Sequence, residues 1–166
     1  MVSFQQFKQA VGVILIDKTA IEHLASDTGA TQTALLILGM SGVAMTFWTL
    51  DIIAMIMAAL SMILGFFIFY SLFHFVAHRM GGKATGAAYF RPLASSFLLY
   101  FLFFLPVSLG PLGDFFTLWL MAVNAFVIHY VHKLPLLRSV LSVVIALTIS
   151  FLMVGFFMTT TGYSMM

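Results

Sequence analysis

The amino-acid sequence predicts an all-α, polytopic membrane protein: about five transmembrane helices preceded by an amphipathic interfacial helix. Three observations carry this. Hydrophobic residues make up 63% of the 166 and charged residues 7%, against roughly 45–50% and 25% in soluble domains. Apolar runs long enough to cross a bilayer recur along the chain. The positive charges fall in alternate connections between those runs, as the positive-inside rule requires.

Composition also narrows the function. Seven Lys and Arg with five Asp and Glu cannot cover the surface of a soluble fold, whereas lipid accepts an apolar exterior. The net charge is only +2 with no basic stripe, so nucleic-acid binding has no footing. Cysteine is absent, which excludes disulfides, thiolate metal sites and cysteine nucleophiles.

Residues 1–32 are expected to form an amphipathic cytoplasmic or interfacial region, and residues 33–166 the five-span domain. Within the first, residues 4–25 read as one amphipathic segment. Phe4, Phe7, Val11 and Ile14 fall at helical spacing, with Gln5, Gln6, Lys8 and Gln9 opposite. Such a helix either lies in the interface plane or packs on the ends of the spans. The apolar run Ala10–Ile16 is short and ends in Asp17-Lys18, which does not suit a cleaved signal.

Five apolar runs follow the break at Ser26-Asp27-Thr28-Gly29: Thr33–Leu50, Ile52–Ala77, Pro92–Leu109, Phe115–Val131 and Leu136–Met158. A single helix over the first two would be about 67 Å long, more than twice a bilayer core. The chain must therefore turn near Thr49-Leu50-Asp51. Pro106, Gly110, Pro111 and Gly113 mark the turn between the third and fourth runs, and Lys133-Leu134-Pro135 the last.

Lys8 and Lys18 precede the first run. Arg79, Lys83 and Arg91 lie between the second and third, and Lys133 and Arg138 between the fourth and fifth. With five spans every Lys and Arg shares one side, which the positive-inside rule makes cytoplasmic. The expected setting is a prokaryotic cytoplasmic membrane, with the N-terminus inside and the C-terminus outside.

The stretch from His74 through His78, Arg79, Gly81, Gly82 and Lys83 to Thr85 resembles the cytoplasmic loop of the Yip (Ypt-interacting protein) family. Phe90-Arg91-Pro92-Leu93-Ala94 with Pro106 is similar to that family's third span, and Ile128–Leu134 to the end of its fourth. Leu15-Ile16-Asp17 and Asp27 with Gln32–Leu35 are compatible with its pre-membrane helix and the start of its first span. The resemblance implies a five-span membrane protein. Eukaryotic relatives bind Rab-type GTPases, but through a longer soluble N-terminal region than the one seen here, so GTPase binding is not carried over.

Two constellations could carry chemistry. His74 and His78 lie four apart near the end of the second run, and His129 and His132 three apart near the end of the fourth. If these ends adjoin, four imidazoles could converge on a divalent metal, with Asp17, Glu22 and His23 close by. The alternative is interfacial histidines partnered by water or lipid phosphate. Gly81 and Gly82, with Thr85 and Gly86, could cradle a lipid phosphate through backbone N–H groups, helped by Arg79 and Lys83, or could simply form a turn.

Small residues at Gly39, Gly42, Ala54, Ala58, Ser61 and Gly65 suit close helix packing, within the hairpin or in a homo-oligomer. Asn124, Ser95, Ser96, Ser142, Thr148 and Ser150 are the expected polar interior, available for interhelical hydrogen bonds. The functional expectation is a non-enzymatic protein that organises the membrane or binds membrane partners. A metal-binding protein or metal-dependent enzyme, and a small channel or transporter, are the alternatives.

Overall fold

The computed structural model describes the backbone over residues 3–104 and 110–160, and the side chains over 3–102 and 115–153. The described residues are helical throughout, without strands. Seven α-helices follow in order: α1 Phe4–Ile14, α2 Lys18–Ser26, α3 Ala30–Thr46, α4 Ile52–Arg79, α5 Gly86–Ser95, α6 Gly110–His132 and α7 Leu136–Thr160. Among the described residues, four helical stretches are long and apolar enough to cross a membrane: Ala30–Thr49, Ile52–Arg79, Phe115–His132 and Leu136–Met153. The chain is a helical membrane protein.

The N-terminal region departs from the expected single segment. It is a helical hairpin, broken at Leu15–Asp17 where Ile16 takes a positive φ of 60°. Ser3 opens α1 with a capping box, its side chain accepting from the backbone while Gln6 reaches back. Asp17 caps α2 by accepting from the Thr19 amide at 2.8 Å. Two strong start signals in 15 residues favour two helices over one. Gly12 lets the pair close: a Cβ there would lie 2.6 Å from that of Ala20.

The turn after α3 falls where expected. A 3-10 turn, Phe47–Thr49, leads to Leu50 in the left-handed region at φ 53°. Asp51 then caps α4 by accepting from the Ile53 and Ala54 amides. The small-residue stripe is used inside this hairpin. A Cβ on Gly42 would collide with the backbone of Ala58 and Ala59, so only glycine lets α3 and α4 approach there.

The third run differs most. Its helix begins six residues before Pro92, at Gly86, because Thr85 supplies an N-cap that accepts from the Ala88 amide. Pro92 lies within α5, where it removes one backbone donor. From Ser96 to Phe104 the chain tightens into a 3-10 helix, far longer than the three or four residues usual for one. Gly110, Pro111 and Gly113 are not a turn but the first residues of α6. Proline suits the first helical turn because its missing N–H has no partner there in any case. Pro106 lies outside the described residues.

The core gathers Val13, Ile21 and Leu24 of the hairpin with Leu38, Phe66, Phe73, Tyr89, Phe90, Val127 and Ile128. By contrast, α4 exposes Ile52, Ile53, Ile56, Met57, Leu60, Leu64 and Ile68, and α7 exposes Leu137, Val144, Phe151 and Leu152. Two faces this apolar belong against lipid.

Candidate functional site

Every Lys and Arg lies on the α1–α2 hairpin, or where α4 and α6 end and α5 and α7 begin. This basic end holds the site. Tyr70, His74 and His78 follow each other at four-residue spacing on α4, so their rings form a column. Tyr70 stacks on His74 with ring centroids 6.0 Å apart, and His74 and His78 are 6.3 Å apart. Opposite stand Tyr89 of α5 and His132 of α6, with centroids 5.8 Å and 5.1 Å from that of His74.

His74 Nδ1 and His132 Nε2 are 3.3 Å apart, so one nitrogen donates to the other. His132 is fully buried and its Nδ1 has no partner. A buried orphan donor is rarer than an orphan acceptor. That favours the tautomer in which His132 carries its proton on Nε2 and donates to His74.

The four-histidine convergence does not form. His129 turns away and its Nδ1–H donates to the Leu134 carbonyl at 2.5 Å, closing the turn after α6. Three residues along a helix leave two side chains about 60° apart, enough to send His132 inward and His129 toward that turn. Among the described residues no group of three or more His, Asp or Glu stands where it could hold one metal ion.

Gly81 and Gly82 form a packed turn whose own amides are already used. Gly81 has φ 99°, which glycine alone adopts at no steric cost. Gly82 is buried, and a Cβ on it would strike the His132 ring and the Ala77 carbonyl. The amides of Gly81, Gly82 and Lys83 donate to the carbonyls of His78, Ala77 and His132, so none is left to bind a phosphate. Arg79, over the Phe75 ring, and Lys83 keep exposed side chains.

The hairpin is tied to the bundle by polar groups. Gln6 donates to Asp27 at 2.8 Å and accepts from Thr33 at 2.5 Å. The Gln6 hydrogen bond holds the Asp27 carboxyl below its ordinary range. Lys133 donates to Glu22 at 2.6 Å, and that bond holds Glu22 low in the same way. Arg91, nearly buried, donates to the Ala25 carbonyl and to Thr31. Trp119 donates to the Ile14 carbonyl at 2.9 Å, fastening the end of α1 to the flank of α6. The outward side of α1 exposes Phe4, Val11 and Leu15, at 88%, 47% and 70%, together with Gln5 and Lys8.

Of the expected polar interior, Asn124 alone makes an interhelical side-chain bond, accepting from the Tyr89 hydroxyl at 2.6 Å. Ser142, Thr148 and Ser150 return to carbonyls four residues back in their own helix. Ser96 bonds Leu93, and the Ser95 hydroxyl has no partner. Sequence reasoning missed Tyr70, Tyr89 and Gln6. For Tyr70 a signal existed, since it extends the His74–His78 spacing by one step. For Tyr89 none did, because its partners come from α4 and α6.

The sequence matches no known family model, and no curated protein or solved structure proved similar to it. The likeness to the Yip family therefore rests on the order of loop and span residues alone.

Proposed function

We propose that this chain is a non-enzymatic, five-span membrane protein of Yip type that acts on the bilayer and on neighbouring membrane proteins at its basic end. The observation that carries this reading is the orientation of α1. It is bound to the bundle through Gln6, Ala10 and Val13, and it turns Phe4, Val11 and Leu15 outward. A soluble-side helix would turn those side chains in. An interfacial helix buries them among lipid headgroups and upper chains. A hairpin that adds these side chains toward the basic side of the bundle takes up unequal area in the two leaflets, which bends the membrane or recruits partners that share the strain.

The fifth crossing in this reading is the stretch 86–104. Ten α-helical and nine 3-10 residues reach about 33 Å together, close to a hydrocarbon core of about 30 Å. Thr31 meets Arg91 and Ser41 meets the Phe97 carbonyl, so this stretch runs parallel to α3. Two parallel neighbours with α4 returning between them fit spans one and three of an odd set.

Reconstituted protein is expected to shift vesicles to smaller radii, read by light scattering and electron microscopy. The triple variant Phe4→Ser, Val11→Ser, Leu15→Ser is expected to remove that shift while keeping the fold. Equal vesicle sizes with both proteins would sink the reading. Reporters in the Gly81-Gly82 loop and at Met166 are expected on opposite faces; both on one face would break the five-span count.

A further inference from the structure

A cavity of about 280 Å³ lies between α4, α5 with its 3-10 extension, α6 and α7. It sits at mid-membrane depth. Its α4 wall runs from Ser61 to Phe73, and both Ser61 and Tyr70 are about 14 Å along the helix from its nearer end. Six aromatic rings line it, among them Phe66, Phe97 and Tyr100. Gly65 forms part of the wall, and a Cβ there would meet nothing within 4 Å.

A buried amide in this wall has an unused donor. Asn124 is 4% exposed, and its Oδ1 accepts the Tyr89 hydroxyl proton. The buried phenol needs an acceptor, and that need fixes which way the amide faces. Its Nδ2 has no partner among the described residues. An N–H donor facing an apolar space is costly unless an acceptor reaches it. The surroundings at this depth are hydrocarbon, which favours an acceptor carried on a molecule that dissolves in the bilayer.

We infer that the cavity binds one neutral, apolar molecule that ends in a carbonyl oxygen, with the carbonyl accepting from Asn124 Nδ2. The volume lies at the lower edge of the roughly 300–1,000 Å³ common for small-molecule sites. It admits one ring or one chain segment, and not a whole two-chain lipid. A charged carboxylate or phosphate is excluded, since no cation lines the wall. Two bilayer components carry the required chemistry: one ester-linked chain of a diacylglycerol, the rest of the lipid staying in the bilayer, and the ring of an isoprenoid quinone. The inference does not depend on membrane shaping by α1.

Three photoactivatable probes in liposomes test it on the full chain: a diazirine diacylglycerol, a diazirine isoprenoid quinone, and a diazirine alkane without a carbonyl. At least one carbonyl probe is expected to label Phe66, Leu120 or Met121 saturably, read by peptide mass spectrometry. Which carbonyl probe does so identifies the source, and labelling by both identifies the shared chemistry. Gly65→Leu fills open space, so it is expected to keep the thermal midpoint and lower the saturable labelling at least tenfold. Asn124→Leu in a Tyr89→Phe background, which removes the phenol that Asn124 serves, is expected to do the same. Labelling confined to outward residues such as Ile56, Leu60 and Leu64, unchanged in Gly65→Leu, would overturn the site. Saturable cavity labelling by the alkane as strong as by the carbonyl probes would overturn the role of Asn124.

Discussion

Among the described residues, the two ends of the bundle are held together by different means. At the basic end, bonds join residues far apart in sequence: Gln6 to Asp27 and Thr33, Arg91 to Ala25 and Thr31, Lys133 to Glu22, His74 to His132. At the opposite end, the polar side chains of the α3–α4 turn make local bonds. Thr46, Thr49 and Asp51 each find backbone partners within four residues. There the apolar side chains of α4 face outward instead of inward. Hydrocarbon is no worse a neighbour than leucine, so apolar burial does not hold that end closed. Polar groups near headgroup depth do find one another, and there they define a single arrangement.

Glycines test this contrast most sharply. Gly82→Val would drive a side chain into the His132 ring and the Ala77 carbonyl. It is expected to cost about 3 kcal/mol, the upper part of the overpacking range, read as a lowered thermal midpoint in detergent. Gly65→Ala, where a Cβ meets nothing, is expected to be neutral or to stabilise by up to about 1 kcal/mol through helix propensity. Equal effects at the two sites would erase the distinction between the packed loop and the open cavity wall.

Arg91→Met comes next. It keeps the stem but removes the bonds to Ala25 and Thr31. The expected loss is about 2 kcal/mol, within the range for hydrogen bonds to a charged group. Limited proteolysis near Leu15–Lys18 should accelerate as the hairpin loosens. An unchanged digestion rate would mean that the hairpin is held without Arg91.

The Lys133–Glu22 pair should matter least, because both side chains are well exposed, at 65% and 38%. Exposed pairs contribute roughly 0–1 kcal/mol. Glu22 has its carboxyl held below its ordinary value of 4.5. Its contribution is therefore present above pH 4.5 and is lost as pH falls through the lower, folded value. A thermal midpoint in Glu22→Gln that tracks the parent protein at acid pH and falls slightly below it at neutral pH would bear this out. The reverse order would refute the sign.

The sequence alone determined where the long helices run. Asp51 separates α3 from α4, Lys133-Leu134-Pro135 separates α6 from α7, and the second and fifth apolar runs match α4 and α7 to within two residues. These features are local, set by backbone capping and by the length a bilayer demands. They are legible because both constraints act on contiguous residues. The break at Ile16 and the cap at Thr85 were local as well, but each lay inside a pattern that a longer helix also satisfies.

The tertiary structure alone decided the site. That His132 turns inward and His129 does not depends on which neighbour each meets: His74 for one, the Leu134 carbonyl for the other. That Asn124 presents its N–H to a cavity depends on Tyr89, 35 residues away, taking its oxygen. Spacing places side chains on a helix face. Only the packing of one helix on another decides what that face touches, and the chemistry follows from the contact.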